Sequence, residues 1–349
     1  MAMATTTLRV GIVQFAPKIG QVQANIAKVQ ELCKRLTPRS VDLLCFPEMI
    51  FSGYMFPDAA SISPYLEHPR TGPTSVFCAE IARRLECYVV AGFPERLEHG
   101  FSPPPTTNTT GSVQNLIDMH PSPPPALPGA NTAILYGPTG EFLSLYRKSN
   151  LYKTDLSWAT AGHGFTVVDL PPPLGKTTIA ICNDLNVQAP AVWNSIEDGP
   201  YELARHCVRE GTRLLIMLNA WLKSDTDESE DEGEVAENGL ERVSPVGIDG
   251  DSQQPDWSVL RWWAMRLYPT WARDRESEKV ERNEHQTDAK GSQELMVVLS
   301  NRFGHEGDIT FAGSSAMFLM CRGSGRPQLL HAMGKREEGV KIWTAPIRQ

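Results

Sequence analysis

The chain has 349 residues, a hydrophobic content of 41% and a formal net charge of −8. This length and hydrophobic content suffice to bury the core of one large α/β domain or of two smaller ones. No apolar run is long enough to cross a bilayer. Residues 1–7 lack the apolar core of a secretory signal and the arginines of a mitochondrial one, so we expect a cytoplasmic or nuclear protein. Seven acidic residues are concentrated between Asp225 and Glu234, so the negative charge belongs mainly to one segment. The net charge therefore predicts neither a nucleic-acid partner nor a membrane partner.

The first quarter of the chain alternates between strand and helix patterns. Apolar runs predict buried strands over residues 8–15, 41–46 and 87–91. Apolar residues recurring every three or four positions predict helices over residues 22–36 and 74–85. This β-α-β-α-β order is typical of an α/β fold.

Three stretches of unusual composition interrupt the regular pattern. Residues 97–129 contain two runs of three prolines, which exclude a helix or a central strand. Residues 223–256 hold the acidic run, and residues 273–292 are rich in Glu, Arg and Lys. We predict that these are surface inserts in a single domain over residues 8–349, after a disordered N-terminus at residues 1–7.

Regular elements are also predicted between and after the inserts. A hairpin is expected first, then alternating strands and helices, with the final strand ending near residue 320. The predicted ranges are 131–136 and 141–147 for the hairpin, 177–181, 212–218, 295–299 and 315–320 for strands, and 201–210 and 259–271 for helices.

Cysteine and histidine usage argues against metal sites and cross-links. The seven cysteines show no CxxC pair and no regular spacing, and the eight histidines are scattered. No Walker loop or GxGxxG motif is present. We therefore expect free thiols, no metal ion and no cofactor.

Three apolar runs each end near one reactive side chain, namely Glu48, Lys148 and Cys182. A carboxylate, an ammonium and a thiol are the groups needed to attack an amide carbon, stabilise the oxyanion and carry a proton to departing ammonia. A single cysteine at the end of a strand is usually only a core residue. Three such residues, each just after a strand, favour a catalytic site.

The order of these residues and a later motif resemble the nitrilase superfamily of carbon-nitrogen hydrolases. The glutamate, lysine and cysteine of that family correspond to Glu48, Lys148 and Cys182. Its late signature is similar to residues 301–306 (NRFGHE) and 311–315 (FAGSS). The resemblance implies a nitrilase-like αββα sandwich, in which outer helices cover two mixed sheets.

Within that superfamily the chain is most similar to the fungal protein N-terminal asparagine and glutamine amidases. Residues 146–155 (YRKSNLYKTD), 182–186 (CNDLN) and 218–222 (LNAWL) carry this likeness. Such enzymes convert an N-terminal Asn or Gln of a protein or peptide to Asp or Glu, which an N-degron pathway can read. Residues 187–190 (VQAP) depart from the pattern of that branch, which affects the pocket shape expected beside the nucleophile.

The chemistry of the three groups assigns a role to each. Glu48 is the expected base for Cys182, which forms a thioester, while Lys148 and the backbone N–H of Asn183 hold the oxyanion. Many relatives carry a second glutamate where this chain has Leu156. The neighbouring Asp155 is therefore a candidate for orienting the lysine or binding the substrate.

The α-ammonium group of an N-terminal substrate requires a buried anion or acceptor. Asp155, Asp184 and Glu306 are the candidates for this contact. Asn186 and Trp221 are further candidate substrate-binding residues, although a tryptophan at such a position is more often part of the core.

Two alternatives to an amidase acting on protein or peptide N-termini remain open. One is a small-molecule amidase of the same superfamily, such as an ω-amidase or a carbamoylase. The other is a catalytically silent scaffold with the nitrilase fold. The superfamily often dimerises, which makes a homo-oligomer one candidate assembly.

Overall fold

The structure, a computed structural model, describes residues 5–98, 127–223, 253–273 and 293–348. Most of each of the three predicted inserts lies outside the described residues. The prediction of a disordered N-terminus is wrong for residues 5–7, because the first strand begins at Thr5. In the parts of the chain that the structure describes, no helix has the length and apolarity needed to cross a membrane.

The described residues form strands, helices and short 3-10 turns. The strands are β1 (Thr5–Gln14), β2 (Leu43–Cys45), β3 (Tyr88–Arg96), β4 (Gly129–Tyr136), β5 (Phe142–Arg147), β6 (Val167–Leu170), β7 (Gly175–Ile181), β8 (Leu214–Asn219), β9 (Glu294–Asn301), β10 (Phe303–Glu306), β11 (Ile309–Ala312), β12 (Ala316–Cys321), β13 (Gln328–Ala332) and β14 (Gly339–Arg348). The helices are α1 (Val22–Cys33), α2 (Ala59–Ile62), α3 (Pro73–Leu85), α4 (Glu202–Glu210) and α5 (Trp257–Arg266). The 3-10 turns are Ser63–Tyr65, Asp155–Ser157, Cys182–Leu185 and Tyr268–Thr270.

Local sequence explains where several helices begin and end. Pro73 occupies the first position of α3, where its missing N–H is not needed. Gly211 ends α4 in the left-handed conformation. The side chain of Asp256 accepts the backbone N–H groups of Ser258 and Val259 and so caps α5.

The strands form two six-stranded mixed sheets and a small hairpin. The first sheet has the order β14-β1-β2-β3-β4-β5, and the second has the order β13-β12-β9-β8-β7-β6. In each sheet three central strands are parallel, β1-β2-β3 in one and β7-β8-β9 in the other, while the remaining pairs are antiparallel. The hairpin joins β10 and β11.

The two sheets pack face to face, with helices on their outer faces. One core cluster joins residues of both sheets, among them Val10, Ile12, Ile181 and Ile216. Two further clusters pack α1 and α3 on the first sheet and α4 and α5 on the second. Strands buried on both faces read as continuous apolar runs, as in residues 214–218 (LLIML). The predicted αββα sandwich is confirmed.

The order of the first elements is confirmed, but the end of the chain is not. The strand predicted over residues 315–320 is not the final one, because β13 and β14 follow it. β14 pairs antiparallel with β1 over its whole length and forms an edge of the first sheet. Its sequence contains Pro346, which weakens the strand pattern but is tolerated on an edge strand.

The helix predicted over residues 259–271 is shorter than expected. The α5 helix ends at Arg266, and a 3-10 turn follows it. Pro269 lies in that turn and lacks the N–H group that a continued α-helix requires.

Glu67 is a buried carboxylate next to the start of α3. Its two oxygens accept the backbone N–H and the hydroxyl of Thr74, each at 2.8 Å. Burial raises the pKa of Glu67 to about 7. Because this folded-state pKa exceeds the unfolded value, the contribution of Glu67 to stability is full below about pH 4.3 and is lost as pH rises to about 7.

We predict that Glu67→Gln stabilises the protein at alkaline pH. The glutamine oxygen can accept the Thr74 N–H while its nitrogen donates to the hydroxyl, so both contacts are kept without a buried charge. Urea unfolding at about pH 8 should show the variant to be more stable by about 1–3 kcal/mol, with the difference disappearing below about pH 4. Glu31→Gln, at an exposed position, is the control, and a less stable Glu67→Gln at the alkaline pH would contradict the prediction.

Candidate active site

Loops that follow three strands bring Glu48, Lys148 and Cys182 together. Glu48 lies shortly after β2, and Lys148 and Cys182 directly follow β5 and β7. Because β2 and β5 belong to the first sheet and β7 to the second, the thiol meets the carboxylate and the ammonium where the two sheets face each other. All three side chains are buried.

The backbone of Cys182 has an unusual conformation. Its φ angle is +41°, in the left-handed region that costs a non-glycine residue about 1–2 kcal/mol. The residue ends β7 and begins the 3-10 turn Cys182–Leu185. Such strain at a reactive residue motivates a functional hypothesis, because a sharp turn after a strand presents the side chain to a cavity.

The ammonium of Lys148 lies between two carboxylates. Its Nζ is 2.8 Å from Oε1 of Glu48 and 2.7 Å from Oδ2 of Asp155. All three side chains are fully buried. Oδ2 of Asp155 also accepts the backbone N–H of Tyr152. The structure therefore brings Asp155 to the lysine, whereas the neighbouring Leu156 is exposed.

Asn131 is a member of this cluster that the sequence analysis missed. Its Nδ2 donates to Oε1 of Glu48 at 2.7 Å and to Oδ1 of Asp155 at 3.1 Å. Asn131 lies within β4 and is fully buried. The one local signal is a buried amide inside an apolar strand, which requires partners.

Burial and the charges of the cluster shift the pKa values of its members. Burial and the Glu48 carboxylate raise the pKa of Cys182 despite the opposing effect of Lys148. Burial likewise raises the pKa of Glu48, and Lys148 opposes it. Burial alone would lower the pKa of Lys148, but Asp155 and Glu48 hold it well above its ordinary value. The thiol therefore needs a base, and Glu48 is a suitable one.

Glu48 also contacts the segment that follows β8. The backbone N–H of Ala220 donates to Oε2 of Glu48 at 2.8 Å. Cys182 and Ala220 line one cavity, and the Glu48 carboxylate raises the pKa of the Cys182 thiol. Glu48 is therefore the candidate acceptor of the thiol proton.

A cavity of about 280 Å³ lies above the thiol. Cys182 contributes to its wall, whereas Glu48 and Lys148 lie beneath the surface. Tyr54, another residue missed by the sequence analysis, lines the cavity with its ring 5.5 Å from the Lys148 ammonium. The lining residues are Tyr54, Tyr152, Cys182, Asn183, Asn186, Ala220, Trp221, Leu222 and Lys223.

Two candidate substrate residues, Asn186 and Trp221, do lie at the cavity. Asn186 donates to Oδ1 of Asn183 and accepts from the indole N–H of Trp262. The ring of Trp221 packs edge-on against Trp263. Both side chains are thus held by neighbours while facing the space above Cys182.

Asp184 does not lie at the cavity, and we revise its predicted role. Its oxygens accept the backbone N–H groups of Ser149, Asn150 and Ile181 and the hydroxyl of Tyr146. Because these four donors already occupy the carboxylate oxygens, Asp184 is poorly suited to bind the α-ammonium group of a substrate. Asp184 instead ties the loop after Lys148 to the turn that carries the thiol.

Glu306, another candidate for the α-ammonium contact, does not line the cavity either. It forms a buried ion pair with Arg302 and accepts the backbone N–H groups of Tyr54 and Met55. It therefore supports the loop that carries Tyr54. Among the residues that the structure describes, no group of three or more His, Cys, Asp or Glu side chains could hold a metal ion.

Both the sequence and the fold are similar to those of known proteins. The family model for carbon-nitrogen hydrolases matches residues 9–222. The protein N-terminal amidase of Schizosaccharomyces pombe is 30% identical and aligns over 96% of this chain and 98% of its own length. That of Saccharomyces cerevisiae is 24% identical over 75% of this chain and 64% of its own length.

A solved structure supports the same assignment at the level of the fold. The crystal structure of N-terminal amidase with an Asn-Glu-Ala peptide superposes with a TM-score of 0.71, at 19% identity, over 99% of each chain. From the matched model and the near full-length relative, the chain belongs to the carbon-nitrogen hydrolase family.

Proposed function

We propose that this protein hydrolyses the side-chain amide of an N-terminal asparagine or glutamine in proteins and peptides, with release of ammonia. The observation that carries the proposal is the Cys182 thiol, which lies beside Glu48 and Lys148 and opens to a cavity of about 280 Å³. The likeness to the Schizosaccharomyces pombe amidase over nearly the whole of both chains supports this substrate class.

The first half of the reaction uses the three buried groups together. Glu48 takes the proton of Cys182 as the sulfur attacks the amide carbon. The ammonium of Lys148 gives two N–H groups to Glu48 and Asp155, which leaves its third for the oxyanion, together with the Asn183 backbone N–H. Glu48 then passes the proton to the departing nitrogen. Ammonia is released, and the acyl group remains bound to Cys182 as a thioester.

The second half of the reaction restores the enzyme. Glu48 removes a proton from a water molecule that attacks the thioester carbon, and Lys148 and Asn183 again hold the oxyanion. The sulfur of Cys182 leaves and regains its proton from Glu48. The product carries an N-terminal Asp or Glu, which we propose is read by an N-degron pathway in the cytoplasm or nucleus.

The α-ammonium group of the substrate is assigned to the aromatic wall of the cavity. Among the described residues that line it, none is a carboxylate. The rings of Trp221 and Tyr152 and the side-chain amide of Asn186 line the same space. Aromatic faces attract ammonium groups, so these three residues are the proposed contacts.

Ammonia release tests the proposed function directly. Asn- and Gln-initiated pentapeptides with a free amine should be turned over, whereas N-acetylated copies should not, because the α-ammonium contact is lost. Cys182→Ala should abolish turnover. Activity on free glutamine and other small amides alone would instead support a small-molecule amidase, and silence on every substrate would support a scaffold.

We predict that Asp155→Asn lowers kcat about 100-fold and changes KM by less than about threefold. An uncharged amide cannot balance the buried Lys148 ammonium, so the oxyanion donor is displaced. Steady-state kinetics on an Asn-initiated peptide measure both constants, with Asp169→Asn at an exposed position as the control. A rise in KM alone would show that Asp155 binds the substrate instead.

We predict that Trp221→Ala raises KM about tenfold for free-amine peptides, which is the size expected for a lost cation–π contact. The same kinetic assay measures the change. Trp257→Ala is the matched control, because Trp257 is 50% exposed and does not line the cavity. A loss confined to kcat would contradict the assigned contact.

A further inference from the structure

We propose that Asn131 is a positioning residue that determines which oxygen of Glu48 acts as the base. The proposal deepens the proposed function and rests on it, because it concerns the same Glu48 and Cys182. It starts from the position of Asn131, which contacts every charged member of the buried cluster.

Asn131 uses both its backbone and its side chain for these contacts. Its carbonyl oxygen accepts the backbone N–H of Lys148 at 2.8 Å. Its Nδ2 donates to Glu48 at 2.7 Å and to Asp155 at 3.1 Å. One fully buried residue therefore fixes the positions of the lysine and of both carboxylates.

The chemistry of the amide explains why asparagine suits this position. Nδ2 carries two hydrogens, and each carboxylate takes one. The reversed amide would place Oδ1 against two carboxylates, which is repulsive. In the present orientation Oδ1 has no hydrogen-bond partner among the described residues, an unfavourable state for a buried acceptor. The contacts of Nδ2 therefore determine the orientation of the amide.

These contacts make the two oxygens of Glu48 unequal. Oε1 accepts from both Asn131 and Lys148, so its lone pairs are occupied. Among the described residues, the one hydrogen-bond donor to Oε2 is the Ala220 N–H. Cys182 and Ala220 line the same cavity, so the oxygen beside the Ala220 N–H, Oε2, is the one assigned to receive the thiol proton.

The cluster also has a defined charge, which Asn131 leaves unchanged. Two carboxylates surround one ammonium, and the amide is neutral. Asn131→Asp would add a third carboxylate beside Glu48, and Asn131→Ala would remove both hydrogen bonds. Each change disfavours the ionised form of Glu48 and so raises the pH at which the Glu48–Cys182 pair loses its first proton.

The test follows alkylation of Cys182 by iodoacetamide across pH, with the modified peptide quantified by mass spectrometry. The variants are Asn131→Asp and Asn131→Ala in the full chain. Asn25→Asp and Asn25→Ala are matched controls, because Asn25 is also a buried asparagine but its side chain forms hydrogen bonds with the backbone of Lys18 and Phe51 rather than with the cluster. Thermal unfolding of each variant is measured in parallel.

We expect the midpoint of the alkylation profile to rise by about one pH unit in Asn131→Asp and by less in Asn131→Ala. Both Asn25 variants should keep the parental midpoint even where they unfold at lower temperature. A parental midpoint in either folded Asn131 variant would overturn the proposal. Since this readout needs no substrate, an inactive parent on every peptide would refute the proposed function separately.

Discussion

The structure of the site depends on one buried ammonium, that of Lys148, and the two carboxylates that balance it. Removing a charge from water costs several kcal/mol, and breaking a buried pair costs about 3–5 kcal/mol. Glu48 and Asp155 must therefore remain within hydrogen-bonding distance of the lysine. This requirement fixes the loops after β2 and β5 relative to each other, and the thiol of Cys182 approaches from the opposite sheet.

Other acidic residues hold this arrangement in place without facing the cavity. Asp184 joins the loop after Lys148 to the turn of Cys182 through backbone N–H groups. Glu306, paired with Arg302, holds the loop that carries Tyr54. The backbone N–H groups of such buried loops need hydrogen-bond acceptors. This need explains why acidic residues lie close to the site without facing its cavity.

Sequence could identify the parts of the site that lie just after strands. Glu48, Lys148 and Cys182 follow apolar runs, so order and residue type sufficed to group them. Asn131 could not be found in this way, because nothing in an apolar strand shows which neighbour a buried amide faces. For the same reason the acidic residues Asp184 and Glu306 could be placed near the site, but their partners could not be predicted.

The buried strands of the fold could be predicted from the sequence, but the edge strand β14 could not. Strands buried on both faces, such as β8, have continuous apolar sequences that indicate their type. The edge strand β14 was missed because its sequence includes Pro346 and polar residues, which an edge position tolerates. Its pairing with β1 depends on a contact between the two ends of the described chain, and no local pattern reports such a contact.

The central claim is that Cys182 forms a thioester with the side-chain acyl group of an N-terminal Asn or Gln. Rapid acid quenching during turnover of an Asn-initiated peptide, followed by mass spectrometry, tests it most directly. The account predicts an adduct on the peptide containing Cys182 whose added mass equals the substrate less one ammonia. Turnover with no such adduct in the parent and undiminished activity in Cys182→Ala would contradict it.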